Sequence, residues 1–121
     1  MNIKTSAWIT VSQNTGDICP VFRKLFAPEK AIEKAELQIT ALGIYHAEIN
    51  GQRISDFVLA PGWTSYDHRL QVQTYDVLDM LHKENDLRIT VGRGWFRSPM
   101  PGFEESEDKQ RRFHQPCGLA L

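Results

Sequence analysis

Only two cysteines, Cys19 and Cys117, stand in 121 residues. Two thiols so far apart do not make the disulfide scaffold of a small secreted domain, and whether they pair is left to the redox state of the compartment. No Cys-x-x-Cys pair is present, so ready-made zinc spacing is missing. The four histidines, His46, His68, His82 and His114, form no i, i+4 pair, so any metal site would have to be assembled by the fold. Long apolar runs are missing as well: nothing is long enough to cross a bilayer, and the first sixteen residues hold no apolar stretch of the kind a secretory leader needs. The expectation is a soluble chain whose compartment is open, with the cytoplasm favoured. An excess of one charge is also absent. With 14 Lys and Arg against 15 Asp and Glu, net −1, there is no global field to draw in nucleic acid or an acidic membrane. Internal repeats and low-complexity tracts are lacking too.

What remains is ordinary globular material, 41% hydrophobic and 24% charged, in a length that suits one domain. A chain of this size buries roughly two-thirds of its unfolded surface and can hold a core without cross-links. Turn punctuation is frequent: Asn14-Thr15-Gly16-Asp17, Asn50-Gly51, Pro61-Gly62, Gly92 with Gly94, and Pro99-Met100-Pro101-Gly102. The apolar runs between these marks are short and rich in β-branched and aromatic residues, which favours strands.

From Glu36 to Ile49 one parity set is Leu37, Ile39, Ala41, Gly43, Tyr45, Ala47 and Ile49, and the other is mostly polar, with Leu42 and Ile44 as exceptions. Such alternation reads as one half-buried strand. Asn50-Gly51 follows and suits a type I′ turn, with a returning strand from Gln52 to Leu59. Further strands are expected at Trp8–Val11, Val21–Phe26, Leu70–Tyr75, Leu87–Val91 and Gly118–Leu121. Pro28 to Ala35 is either a short helix or a turn, and Asp76 to Leu81 reads as a helical turn capped by Asp76. About seven short strands with few helices point to an all-β sandwich or barrel.

The order of motifs between Ala35 and Ser98 is specific. Ala41-Leu42-Gly43-Ile44-Tyr45 leads to Ile49-Asn50-Gly51, then Leu59-Ala60-Pro61-Gly62-Trp63-Thr64-x-Tyr66, Arg69, Gln73-Thr74-Tyr75-Asp76-Val77, and Gly92-x-Gly94-Trp95-Phe96. In this order the chain resembles the N-terminal domain of bacterial α-L-rhamnosidases, with Trp8-Ile9 and Phe22-Arg23-Lys24-x-Phe26 resembling its first strands. The resemblance implies a jelly-roll β-sandwich of the galactose-binding-like type, placed ahead of a helical catalytic barrel and helping to recognise rhamnose-containing substrate. Some related modules bind rhamnose with calcium. It also implies that Pro116–Leu121 begins a strand with more sandwich to follow. The expectation is therefore one domain over residues 1–121, shortened at its C-terminal end and separated from its catalytic partner. An open sheet edge there would recruit a second copy as a homodimer or swapped assembly.

Sugar recognition uses flat aromatic faces and planar polar side chains. The stretch from Pro61 to Arg69 offers Trp63 and Tyr66 as faces, with Asp67 and Arg69 as acceptor and donor groups. In the alternative reading Trp63 covers the end of the core and Arg69 pairs with Asp67. Trp95 is the second aromatic candidate, either lining a ligand groove or facing the catalytic domain, or else buried in the core. Gly92-Arg93-Gly94 is not a phosphate loop, because no Lys-Ser/Thr follows and no helix is expected after it. Glu104, Glu105, Glu107 and Asp108 concentrate carboxylates, but without the spacing of a calcium loop. The basic Lys109-Gln110-Arg111-Arg112 follows, so a solvated loop over residues 98–115 is expected, and no cofactor is assigned. Glycoside hydrolysis needs two carboxyl groups roughly 5–9.5 Å apart across the bond. Asp56, Asp67, Asp76, Asp79 and the acidic run do not declare such a pair, so no catalysis is expected from this chain alone. The competing function is a packing module that buries one face against the catalytic domain; a third is a stand-alone sugar-binding protein. An aromatic groove would favour binding, and a broad apolar patch would favour packing.

Overall fold

The computed structural model describes residues 3–12, 18–98 and 118–120. Seven strands are found among them: β1 (Val21–Phe26), β2 (Glu36–Leu42), β3 (Ile44–Ile49), β4 (Gln52–Arg53), β5 (Gln73–Asp76), β6 (Asn85–Gly92) and β7 (Gly118–Ala120). They form two antiparallel sheets, ordered β1-β6-β3-β4 and β5-β2-β7. Of the sandwich or barrel that the strand pattern left open, the sandwich implied by the family resemblance is the architecture found.

The inward parity set of residues 37–49 is correct, but the single strand is not. Gly43 has φ +132° and divides the stretch into β2 and β3, which belong to different sheets. A Cβ on Gly43 would lie 2.1 Å from the Gly92 carbonyl oxygen, so only glycine lets the chain cross here against β6. Alternation survives the crossing because both halves face the same interior. Ile39, Ala41, Val91 and Leu119 are fully buried there, with Ile49 and Ile89 almost so. Each large aliphatic side chain in that layer contributes about 1.5–3 kcal/mol.

Asn50 (φ 54°) and Gly51 (φ 80°) both take the positive φ that a type I′ turn requires. The Asn50 side chain also ties the turn to the loop before β6. Its amide nitrogen donates to the Met80 carbonyl and to Asn85 Oδ1, both at 3.0 Å, and its oxygen accepts the Asp86 N–H at 2.9 Å. Asn85, 3% exposed, accepts from the His82 N–H and returns a bond to the His82 carbonyl. Every side-chain polar atom of this amide pair, Asn85 buried and Asn50 half-buried, is therefore partnered.

Other expectations shift at their ends. The returning strand is only Gln52–Arg53, because the Ser55 hydroxyl accepts the Phe57 N–H and turns the chain away. Leu70–Tyr75 moves to Gln73–Asp76, while β6 extends the expected Leu87–Val91. The stretch at Trp8–Val11 reduces to one bridge, with Ile9 and Leu119 exchanging N–H···O bonds of 2.8 and 3.0 Å. That bridge occupies part of the β7 edge from which a homodimer was expected. Residues 28–35 form no helix. A 3₁₀ turn at Leu78–Met80 follows Asp76, whose carboxylate accepts the Leu78 N–H. A helix does open after Gly92-Arg93: α1, Gly94–Arg97, one turn long. Cys19 is exposed. Cys117, His114, the acidic run at 104–108 and the basic block after it lie outside the described residues.

Candidate functional site

The long connection between β4 and β5 carries the aromatic segment. It is bound to the core by two successive carbonyls. The Ala60 carbonyl accepts the Tyr45 N–H at 2.7 Å, and the Pro61 carbonyl accepts the Gln73 amide at 3.2 Å. Ala60 and Pro61 are buried. Two residues on, Trp63 emerges with 52% of its surface exposed. A turn follows, in which His68 N–H and Arg69 N–H share the Ser65 carbonyl and the Thr64 hydroxyl donates to the Arg69 carbonyl.

The second element of the site is α1. Gly94 has φ +52°, and a Cβ there would fall 2.7 Å from Ile44 Cγ2 and 3.0 Å from the Gly43 carbonyl carbon. Glycine therefore lets α1 settle directly onto the start of β3. This close approach brings Trp95 beside Trp63. The two indoles are stacked, with ring centroids 6.3 Å apart and planes within 4° of parallel, in the range of offset aromatic pairs.

The five residues singled out in the sequence are thus divided. Trp63 and Trp95 meet; Trp63 is exposed and Trp95 is half-buried. Asp67 and Arg69 lie exposed on the same turn. Tyr66 departs from the expected open face. It is 7% exposed, and its ring meets Phe96 edge-on at 5.2 Å and 74°, which fastens the turn to α1.

Sequence reasoning missed the polar residues that support this loop. Tyr45 donates its hydroxyl proton to Gln73 Oε1 at 2.8 Å and contacts the Tyr75 hydroxyl at 2.8 Å. Burial first, and the bond with Tyr75 second, hold the Tyr45 hydroxyl pKa well above its ordinary value. The available signal was alternation itself: Gln73 and Tyr75 are two apart on β5 and share its inner face.

Of the carboxylates weighed as catalytic groups, Asp56, Asp67, Asp76 and Asp79 are exposed. Among the described residues no three His, Cys, Asp or Glu side chains converge as a metal-binding group, so no calcium ligand set is assigned. No helix among them is long and apolar enough to cross a membrane. Phe57, Val58 and Leu59 form an exposed apolar run beside a hollow of about 250 Å³ that Ile44, His46 and Arg53 also line.

Comparison with known proteins gives this arrangement a family. Residues 30–120 match the family described as the α-L-rhamnosidase N-terminal domain. An α-L-rhamnosidase of Alteromonas sp. (strain LOR) is 32% identical over 112 residues, covering 90% of this chain and 12% of that protein. The crystal structure of the native Aspergillus terreus α-L-rhamnosidase superposes with a TM-score of 0.81 at 35% identity, over 97% of this chain and 14% of that one. The Streptomyces avermitilis α-L-rhamnosidase complexed with L-rhamnose gives 0.70 at 36% identity, over 82% and 9%. The chain spans a small fraction of the length of each relative. On its sequence match and its sandwich together, the chain belongs to the α-L-rhamnosidase N-terminal domain family.

Proposed function

We propose that this domain recognises or positions rhamnose-containing carbohydrate for an α-L-rhamnosidase catalytic domain and performs no hydrolysis itself. The observation that carries this reading is the parallel Trp63–Trp95 pair, with the Trp63 indole half exposed. Sugars present C–H faces that pack on such rings, and the hydroxyls at their rims need planar polar partners. Asp67 and Arg69, exposed on the turn that follows Trp63, are suited to that task.

The exposed run Phe57-Val58-Leu59 favours a second reading, in which that face packs on the catalytic domain. Tryptophan fluorescence titrated with L-rhamnose, with and without calcium and against glucose, tests the first. A saturable, rhamnose-dependent change establishes recognition. A flat response from folded protein leaves the packing role alone.

A further inference from the structure

Trp63 is an exposed indole on a long connection, so burial alone does not fix its orientation. The segment before it is instead held by a chain of hydrogen bonds that starts on the inner face of the opposite sheet. The proton directions follow from its far end. The Pro61 carbonyl can only accept, so Gln73 must present its NH₂ group there, at 3.2 Å. Gln73 Oε1 is then left as an acceptor and takes the Tyr45 hydroxyl proton at 2.8 Å. With its own proton committed, the Tyr45 oxygen accepts from the Tyr75 hydroxyl at 2.8 Å. Tyr45 acts twice, since its backbone N–H also holds the Ala60 carbonyl at 2.7 Å. Tyr45 is 7% exposed and Gln73 and Tyr75 are partly buried, so these bonds are shielded from competing water.

We infer that the relay Tyr75–Tyr45–Gln73–Pro61 positions Trp63, setting the connection so that its indole lies parallel to Trp95. Gln73 is the positioning residue, since it joins the relay to the loop backbone two residues before the indole. The effect on sugar affinity rests on the recognition reading above; the effect on indole geometry does not.

The test is circular dichroism of the whole chain, because two stacked indoles in contact produce an exciton couplet when their in-plane transition moments are not aligned. Trp63→Phe identifies the signal. Gln73→Leu and Tyr45→Phe are each expected to collapse the couplet at temperatures where the protein is fully folded. If rhamnose binds, its affinity falls by up to about tenfold, the loss of one ordinary hydrogen bond. A variant that melts earlier but keeps the couplet overturns the relay; should aligned transition moments leave the wild type without a couplet, the change in Trp63 fluorescence caused by its contact with Trp95 is read in the same variants, and a change that persists in them overturns the relay. Should Gln73→Leu not fold, Tyr45→Phe decides, together with Gln73→Glu. That carboxylate still accepts from Tyr45 but cannot donate to Pro61 until it is protonated. Its couplet is expected to be weak at neutral pH and to recover on mild acidification, whereas a couplet indifferent to both changes overturns the inference. A relay-sensitive couplet in a protein that ignores rhamnose supports the relay and sinks the recognition reading.

Discussion

Trp63 and Trp95 come from opposite sides of β5 and β6 in the sequence, yet their ring planes differ by only 4°. The contact is worth about 0.5–1.5 kcal/mol beyond simple area burial. Trp63→Ala is accordingly expected to cost less than about 1.5 kcal/mol in urea unfolding while removing most of the rhamnose-dependent fluorescence change. Trp95→Ala, at the half-buried partner, is expected to cost about 2–3 kcal/mol. A Trp63→Ala protein that responds to rhamnose as strongly as its parent would remove this face from the proposal.

Gly43 admits no larger residue. An added Cβ meets the Gly92 carbonyl oxygen at 2.1 Å, and the φ of +132° is strained for any L side chain. Gly43→Ala is expected to lose more than about 3 kcal/mol, in the range that marks backbone strain combined with a clash. Denaturant unfolding of the variant measures this directly, and a loss under about 1 kcal/mol would show that β6 yields easily.

Period-two alternation disclosed which side chains from Leu37 to Ile49 point inward, since that depends only on local backbone geometry. It did not disclose that Leu42 and Ile44 flank a change of sheet, because both sheets share one interior. The positive φ at Asn50 and Gly51 was legible from residue type. The meeting of Trp63 with Trp95 was not, since it depends on how closely Gly94 approaches Ile44. Tyr66 was misread for the same reason: a tyrosine in a turn looks alike in sequence whether its ring faces water or Phe96. Recognition of the family rested on the order of several short motifs, which survives such local errors.

The amide pair makes a separate prediction. Asn85→Ala leaves the His82 N–H and carbonyl and one Asn50 amide proton without their present partners. The expected cost is about 2–3 kcal/mol. Hydrogen exchange adds a finer check: the His82 amide should lose protection before the amides at the centre of β6. Unchanged protection in the variant would mean that water replaces Asn85 without penalty.

Stability should fall at both ends of the pH scale, for opposite reasons. Tyr45 has a folded-state pKa raised above its ordinary value of 10, chiefly by burial. Its contribution is complete below pH 10 and is lost as pH rises further, because the unfolded chain releases that proton first. Asp86 is held below its usual range of about 3.8, first by the hydrogen bond from Arg23 and with help from Arg88. Its contribution is present above that value and is lost as pH falls through the lowered one. Thermal melts across pH are expected to show a flatter alkaline limb in Tyr45→Phe and a flatter acid limb in Asp86→Asn. An alkaline limb identical in Tyr45→Phe and wild type would assign that loss to another group.

The crossing at Gly43 also has a mechanical meaning. A single residue carries the chain from one sheet to the other, so along that side the layers are joined by a pin with no slack. The helical turn bearing Trp95 rests on this pin through Gly94 and Ile44. Force applied to the indole therefore reaches both layers at their junction, and the aromatic pair is mounted on a seam that the two layers share.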